Sequence, residues 1–480
     1  MSSPRLDSRV EIYINKEKII LFACLILFIH CQNADCAQIL EQKIIAEKIT
    51  DCDMHWAKFL FNNDNALITM RRLLYTNNNL IRTDNLKKYC DILGGYLKDN
   101  QFYIVLDDIN TVDVYRVQKQ LELESYIKPV ISEYHHYHRV VLLHEQSNCY
   151  YLFGHYNLVA FGPFDSLERI VSAGNVRFKK PLLAKIQDNK IVRCIKLDYG
   201  GKRDESYVVE EAMGGKDSIH FFGFRNIDVP FMDNGRRAPI KLVEPGRSGY
   251  NHKRYTFDTG DYYTDRDITQ SIMLYYSDYN LKKEKNTRNC KIYENTPGYN
   301  ERTDTYCDYG VLSTDTRDDD VFAVFSWVKW QRHRAGSTMV EYKGLQHKEG
   351  FNLNDVNSSI YFWQCNDKSY GKAEKIAEGF CPLVRVNRFG IVHVFWIDRS
   401  GNIVQKVKKD DKWSNEEIIL KGINAKPIIY TKYSVIDDNQ DKPEAILYTK
   451  FFAAEFDKED NLHAVYPTAE GIVYTKLKLE

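Results

Sequence analysis

The stretch Phe380–Gly422 constrains this chain more than any other. It reads FCPLVRVNRFGIVHVFWIDRSGNIVQKVKKDDKWSNEEIILKG. Apolar, β-branched runs alternate with turn signals: Leu383–Val386, the turn Asn387-Arg388-Phe389-Gly390, Ile391–Ile397, the turn Asp398-Arg399-Ser400-Gly401, then Asn402–Val407. Lys409-Asp410-Asp411-Lys412 turns the chain into Trp413 and a last strand, Glu417–Leu420. Strand-forming residues punctuated by Gly, Asn and Asp are the pattern of an antiparallel meander.

Four such strands in about forty residues match one blade of a β-propeller. Internal repeats extend the pattern. An apolar-His-apolar core recurs in Ile219-His220-Phe221-Phe222, Val392-His393-Val394-Phe395 and Leu462-His463-Ala464-Val465. A tighter repeat links Ile428–Lys432, Ile446–Lys450 and Ile472–Lys476, each ending Tyr-Thr-Lys. Repeated β units predict an all-β fold. A chain of 480 residues accommodates a single propeller of seven blades, with six as the alternative. The domain is expected to span residues 38–480. The 33 tyrosines suit half-buried strands and sugar-binding surfaces alike.

These repeats resemble the sialidase-like propellers with BNR-type repeats. In that superfamily a blade reads apolar strand, turn with Gly, apolar-His-apolar strand, Gly-x-apolar strand, Trp. The likeness is carried by 380–420 and 443–478 and weakens before 215. No intact Ser-x-Asp-x-Gly-x-x-Trp box occurs, and Phe224-Arg225-Asn226-Ile227 is an echo of the Phe-Arg-Ile-Pro motif. The resemblance implies a propeller; it assigns no arginine triad or tyrosine nucleophile here.

The N-terminus speaks to location. Ile19–Ile29 is an apolar run of eleven residues behind Lys16 and Lys18, shorter than the roughly twenty a spanning helix needs. It fits the core of a secretory signal peptide over residues 1–37, with Ala34-Asp35-Cys36 as the cleavage region. The expectation is therefore a secreted or periplasmic protein without stable membrane insertion; an uncleaved anchor is the other reading. Eight cysteines then remain of the 11, after Cys24, Cys31 and Cys36. An even number in an exported chain predicts disulfides, with Cys290–Cys307 and Cys365–Cys381 as the pairs. A formal net charge of zero gives no general pull toward nucleic acid. A monomer that needs no cofactor or metal is expected.

Three further expectations concern the chain's course. Val117–Ile127 reads as a helical insertion. Ser277–Asp320, basic early and acidic late, reads as a long polar loop on one propeller face. The final blade offers only three strands, so Gln42–Ile49 is expected to supply the fourth through Ile44, Ile45 and Ile49.

Two clusters are candidates for chemistry. In Tyr134-His135-His136-Tyr137-His138-Arg139, a strand would put His136 and His138 on one face as ligand-binding groups, with Tyr134 and Arg139 beside them; a surface loop is the other reading. Arg247-Ser248-Gly249-Tyr250-Asn251-His252-Lys253-Arg254-Tyr255 holds the parts of a polysaccharide lyase: His252 as base, Tyr250 or Tyr255 as acid, Arg247 or Arg254 on the uronate carboxylate. Asp258, Asp261, Asp265 and Asp267 lack the spacing of an EF-type calcium loop. The recurring histidines read as structural. The function expected is recognition of a carbohydrate or extracellular protein through one propeller face, and the alternative is a polysaccharide-degrading lyase or glycoside hydrolase.

Overall fold

The fold is described from a computed structural model. It covers residues 37–479 apart from 48–56, 84–90, 128–134, 143–148, 160–176, 198–205, 231–239, 243–254, 258–267, 352–356, 422–428, 435–441 and shorter stretches. The described elements are all β-strands, and they form seven blades. Each is an antiparallel meander of four principal strands.

Blade 1 comprises Lys58–Phe61, Ala66–Thr69, Leu73–Thr76 and Asn79–Arg82. Blade 2 comprises Asp91–Lys98, Gln101–Asp108, Thr111–Val117 and Leu121–Ile127. Blade 3 runs His135–Leu142, Cys149–Val159, Arg177–Gln187 and Lys190–Lys196. Blade 4 runs Ser206–Gly214, Ser218–Pro230, Ile268–Asn280 and Lys285–Asn295. Blade 5 is Thr305–Arg317, Asp320–Ala335, Asn357–Cys365 and Glu374–Glu378. Blade 6 is Phe380–Val386, Val392–Ile397, Ile403–Lys409 and Glu417–Leu420, so the founding stretch of the sequence is one blade. Blade 7 is Ala453–Phe456, Asn461–Pro467 and Gly471–Leu479, completed by Ala37–Glu47 from the other end of the chain.

The first strand of each blade lies beside the first strand of the next, and Ala453–Phe456 meets Lys58–Phe61, so the ring closes. The core is divided accordingly. Among the described residues it falls into seven apolar clusters, one at each blade interface. Every blade buries both faces, which explains fully buried second strands such as Val392–Ile397. Each fully buried Phe, Leu or Ile contributes about 1.5–3 kcal/mol.

The tight turns share one device. Asn387, Asp398 and Asp457 each accept, through Oδ1, the backbone N–H groups two and four residues ahead, at 2.8–3.0 Å. The fourth residue of each turn has positive φ: Gly390, Gly401 and Asp460. This side-chain closure is why Asn and Asp mark these positions in the sequence.

The clasp of blade 7 is longer than expected and begins earlier. Ala37–Glu47 pairs antiparallel with Gly471–Leu479, with register shifts at Ile39/Glu41 and Ile44/Ala46. Ile45 and Ala46 supply the apolar contact and Ile44 stays 46% exposed; Ile49 lies outside the described residues. Gly471 makes the approach possible. Its φ is +147°, and a Cβ there would lie 2.1 Å from the carbonyl oxygen of Ala46.

Several expectations are corrected. Val117–Ile127 is not a helix: the chain turns at Gln118–Gln120 and returns as the outer strand Leu121–Ile127. Its two-residue alternation outweighs its helix-forming side chains, and Arg116 bonds Glu122 across the hairpin at 2.8 Å. Ser277–Asp320 is not a long loop, since Lys285–Asn295 is the outer strand of blade 4 and Thr305–Arg317 the inner strand of blade 5. Along Lys285–Cys290 exposed residues alternate with half-buried ones: Lys285 sits on the solvent side of the strand, while Arg288 lies on the other side and pairs with buried Asp278 at 2.7 Å. Neither disulfide forms, because Cys290, Cys365 and Cys381 are free thiols. Cys290 pairs with Tyr276 and Cys365 with Val321, which builds both into ladders of blades 4 and 5. The Tyr-Thr-Lys repeat marks strands but not one blade position. Ile429–Ser434 and Lys442–Tyr448 pair with each other as a separate hairpin, whereas Gly471–Leu479 is a third strand.

Candidate functional site: a cleft at the ring seam

Where blade 7 meets blade 1 the wall opens into a cleft of about 640 Å³. It is lined by the clasp, by the first turns of blades 7, 1 and 2, and by the last turn of blade 1. The floor is apolar and aromatic, with Phe61, Ile68, Tyr75 and Tyr474. The rim carries the amides of Asn62, Asn65, Asn77, Asn78 and Asn100.

A hydrogen-bonded chain runs under one wall. The Nε2 of His463 lies 2.9 Å from Asp457 Oδ2, and its Nδ1 lies 2.8 Å from the Tyr474 hydroxyl. Lys476 Nζ reaches the same Asp457 oxygen at 2.9 Å. Phe61 of blade 1 packs edge-on against the imidazole, with centroids 4.7 Å apart. The geometry follows from the register. His463 opposes Lys476 on the neighbouring strand, so Tyr474 sits diagonally beside it, while the Asp457 turn folds back over the ring.

Protonation states in this chain are fixed. Burial would raise the Asp457 carboxyl, but hydrogen bonds from His463, Asn461 and Lys476 outweigh it and hold it far below the usual carboxylate range. Burial depresses His463 against the opposing pull of Asp457, so the imidazole is neutral, donates from Nε2 and accepts from the Tyr474 hydroxyl at Nδ1. Burial, with the nearby Glu41 charge, keeps the Tyr474 hydroxyl protonated. On the opposite wall Lys43 Nζ bonds Glu41 Oε1 at 2.6 Å and Asn78 Oδ1 at 2.7 Å. It also lies 5.4 Å from the Tyr75 ring centre and 5.1 Å from that of Tyr474. Burial pulls the Lys43 ammonium down, yet its bonds to Glu41 and Tyr75 leave it raised.

A second cluster lines the inner strands of blades 5, 6 and 7. Arg385 Nε lies 2.8 Å from Glu455 Oε2 and 2.7 Å from the Ala454 carbonyl oxygen. Asp315 accepts the Val386 amide at 2.7 Å. Burial is the main cause that raises Asp315, and it pushes Glu455 up to about 7 against the pull of Arg385. These side chains cap backbone groups that an innermost strand leaves unpaired.

Among the described residues, none of the predicted site residues lines the cleft. His135–Leu142 is the innermost strand of blade 3, so the surface-loop reading is wrong for His136, His138 and Arg139; Tyr134 lies outside the described residues. The pairing of this strand with Cys149–Val159 has a register shift between Tyr137 and Arg139. Tyr255 begins the strand Tyr255–Phe257, which pairs with Ile240–Leu242. Arg247, Tyr250, His252 and Arg254 lie outside the described residues, as do Asp258, Asp261, Asp265 and Asp267. Of the repeated histidines, His220 and His393 are interior, whereas His463 lines the cleft. Among the described residues no group of three or more His, Cys, Asp or Glu side chains is arranged to hold a metal.

The cleft residues carried readable signals. Asp457 precedes His463 by six positions, and Tyr474 and Lys476 belong to the Tyr-Thr-Lys repeat. Asn77-Asn78-Asn79 reads as a turn signal and is one, with positive φ at Asn77 and Asn78; Asn100 has positive φ as well.

Neither a protein family nor a curated protein matches the sequence. Solved structures similar to the chain include oligogalacturonate lyase from Vibrio parahaemolyticus, at 10% identity and a TM-score of 0.39, covering 92% of this chain and 97% of that one. An α-L-arabinanase from Penicillium chrysogenum, complexed with arabinobiose, has 8% identity and a TM-score of 0.32, covering 81% and 93%. The WD40 domain of SCAP from fission yeast has 8% identity and a TM-score of 0.29, covering 92% and 98%. The blade count stands on the strand pairing of this chain.

Proposed function

We propose that the protein is a secreted, sialidase-like propeller that binds a carbohydrate in the cleft between blades 7 and 1. The observation that carries this reading is the pairing of a rim of amides with an aromatic floor. An amide donates and accepts at once, as vicinal hydroxyls require, and aromatic rings take the C–H faces of a sugar. The fixed protonation states favour binding over acid-base work, because His463 and Tyr474 are held in their neutral forms and spent on each other. Export is supported by the apolar run Ile19–Ile29 behind Lys16 and Lys18.

The test is a glycan array with purified protein, followed by titration of the best ligand against Asn78→Ala and Tyr75→Ala. Both variants should weaken binding by about tenfold or more, the size of one lost buried hydrogen bond or ring contact to a ligand. Unchanged affinity in both would place the ligand elsewhere and overturn the reading.

A second reading, polysaccharide degradation, is favoured by Glu455. A carboxyl raised to about 7 beside Arg385 is suited to proton transfer near neutrality. Ultraviolet detection of unsaturated products and a reducing-end assay, with Glu455→Gln as the control, decide this reading. Product formation lost in Glu455→Gln supports it, and no product from any polysaccharide excludes it.

A further inference from the structure

The cleft's charges are spent before any ligand arrives, and we infer that it selects neutral saccharides and discriminates against uronate, sialylated or sulfated ones. The inference rests on the carbohydrate reading and names the ligand class.

Three ammonium groups and three carboxylates line the cleft, and each cation has a carboxylate of its own. Lys43 is held by Glu41 at 2.6 Å, Lys476 by Asp457 at 2.9 Å and Lys458 by Glu459 at 3.7 Å. His463 adds no charge, since burial keeps it neutral. The pairing is tightest where a ligand would sit. An ammonium has three donors. Those of Lys43 are directed at Glu41, Asn78 and the faces of Tyr75 and Tyr474. An acidic sugar would have to displace Glu41 or Asp457 from its partner or bring a carboxylate into the cleft unmatched, and an unmatched charge is the costlier alternative. A neutral sugar needs only the amides and rings.

The experiment compares neutral glycans with oxidised or sulfated counterparts of the same linkage, on wild type and on Glu41→Gln. Glu41 is a half-exposed residue of the clasp, and the glutamine keeps its shape while freeing the Lys43 charge. Wild type should prefer the neutral ligand by about tenfold. In Glu41→Gln that preference should shrink about fivefold, the weight of one partly exposed ion pair. Tighter wild-type binding of the acidic ligand, or a preference unmoved by Glu41→Gln, overturns the inference and leaves carbohydrate binding standing. If no glycan of either kind binds, the carbohydrate reading itself fails and this inference with it.

Discussion

Blades 4, 6 and 7 carry the same local unit in three states, and the comparison separates what serves the fold from what serves the cleft. In each, a histidine on the second strand meets a side chain set diagonally on the third: Tyr276 for His220, Gln405 for His393, Tyr474 for His463. His220 and Tyr276 bond at 2.9 Å. The turn before His220 holds Gly215, where a Cβ would lie 2.5 Å from the histidine Nε2, so no side chain fits over that ring. Blade 6 substitutes glutamine. Although Gln405 lies near enough to bias His393 toward its charged form, neither ring nitrogen nor the Gln405 Oε1 has a bonding partner. Burial pushes this weakly held imidazole down to about 4. Only blade 7 places an aspartate, Asp457, over the ring. There the next interface is the seam, and the unit lies against open space. A blade position that usually packs becomes a wall of a binding cleft once the ring must be closed by a foreign strand.

The largest way to break the comparison is to remove that strand. Deleting residues 38–47 strips the outer ladder from blade 7, exposes the edge of Gly471–Leu479 and takes Ile45 and Ala46 from the seam core. The melting temperature should fall by about 5 °C or more, at about 1 °C per kcal/mol for a chain of this length. Gly471→Ala should give a smaller fall in the same direction, about 2–4 kcal/mol, because both its φ and the Ala46 carbonyl oppose a side chain. A melting curve unchanged by the deletion would sink the clasp.

Replacing the three histidines by leucine sharpens the contrast. His463→Leu leaves the Asp457 carboxylate and the Tyr474 hydroxyl without the imidazole between them, at a cost of about 2–4 kcal/mol. His220→Leu takes the imidazole from the buried Tyr276 hydroxyl, which keeps Cys365 beside it, and should cost about 1–2 kcal/mol. His393→Leu removes two unpartnered nitrogens and should be neutral or stabilising by up to about 1 kcal/mol, after its stacking on Phe395 and Phe456 is lost. Chemical denaturation of the three variants checks the order. Equal losses at all three sites would mean that the histidines act only through volume.

How much of this was legible depends on whether a residue's role is local. The turns at Asn387, Asp398 and Asp457 were readable because each is closed by its own side chain within five residues. The missing outer strand was readable from incomplete blade 7, but not its start at Ala37 or which of Ile44 and Ile45 faces inward. Two register shifts decide that, and they arise only in the pairing with Gly471–Leu479 far along the chain. Ser277–Asp320 was misread because an outer strand wetted on one face has the composition of a loop. The cleft was not readable as a site. Lys43, Asn78 and His463 are brought together only when the ring closes, and separately each has a bland explanation as a clasp residue, a turn residue and a repeated strand residue.

The smallest effect expected is a crossing of pH dependences between blade 6 and the inner strands. His393 has a folded pKa near 4, below the roughly 6.5 of an unfolded histidine, so the unfolded chain binds its proton first. Stability from this group is whole above about pH 6.5 and is lost as pH falls toward 4. Glu455 runs the other way. Its folded pKa near 7 exceeds the unfolded value near 4.5, so the folded chain binds the proton first, and stability rises as pH falls from about 7 to 4.5. The two slopes oppose each other between about pH 4.5 and 6.5, and wild type should show a shallow profile there. His393→Leu removes one slope, and its melting temperature should rise as pH drops from 7.5 to 5. Glu455→Gln removes the other, and its melting temperature should fall over the same range. Each change should be about 1 °C, the equivalent of about 1 kcal/mol after solvent screening. Profiles of the two variants that run parallel to wild type would show that neither group titrates where its burial places it.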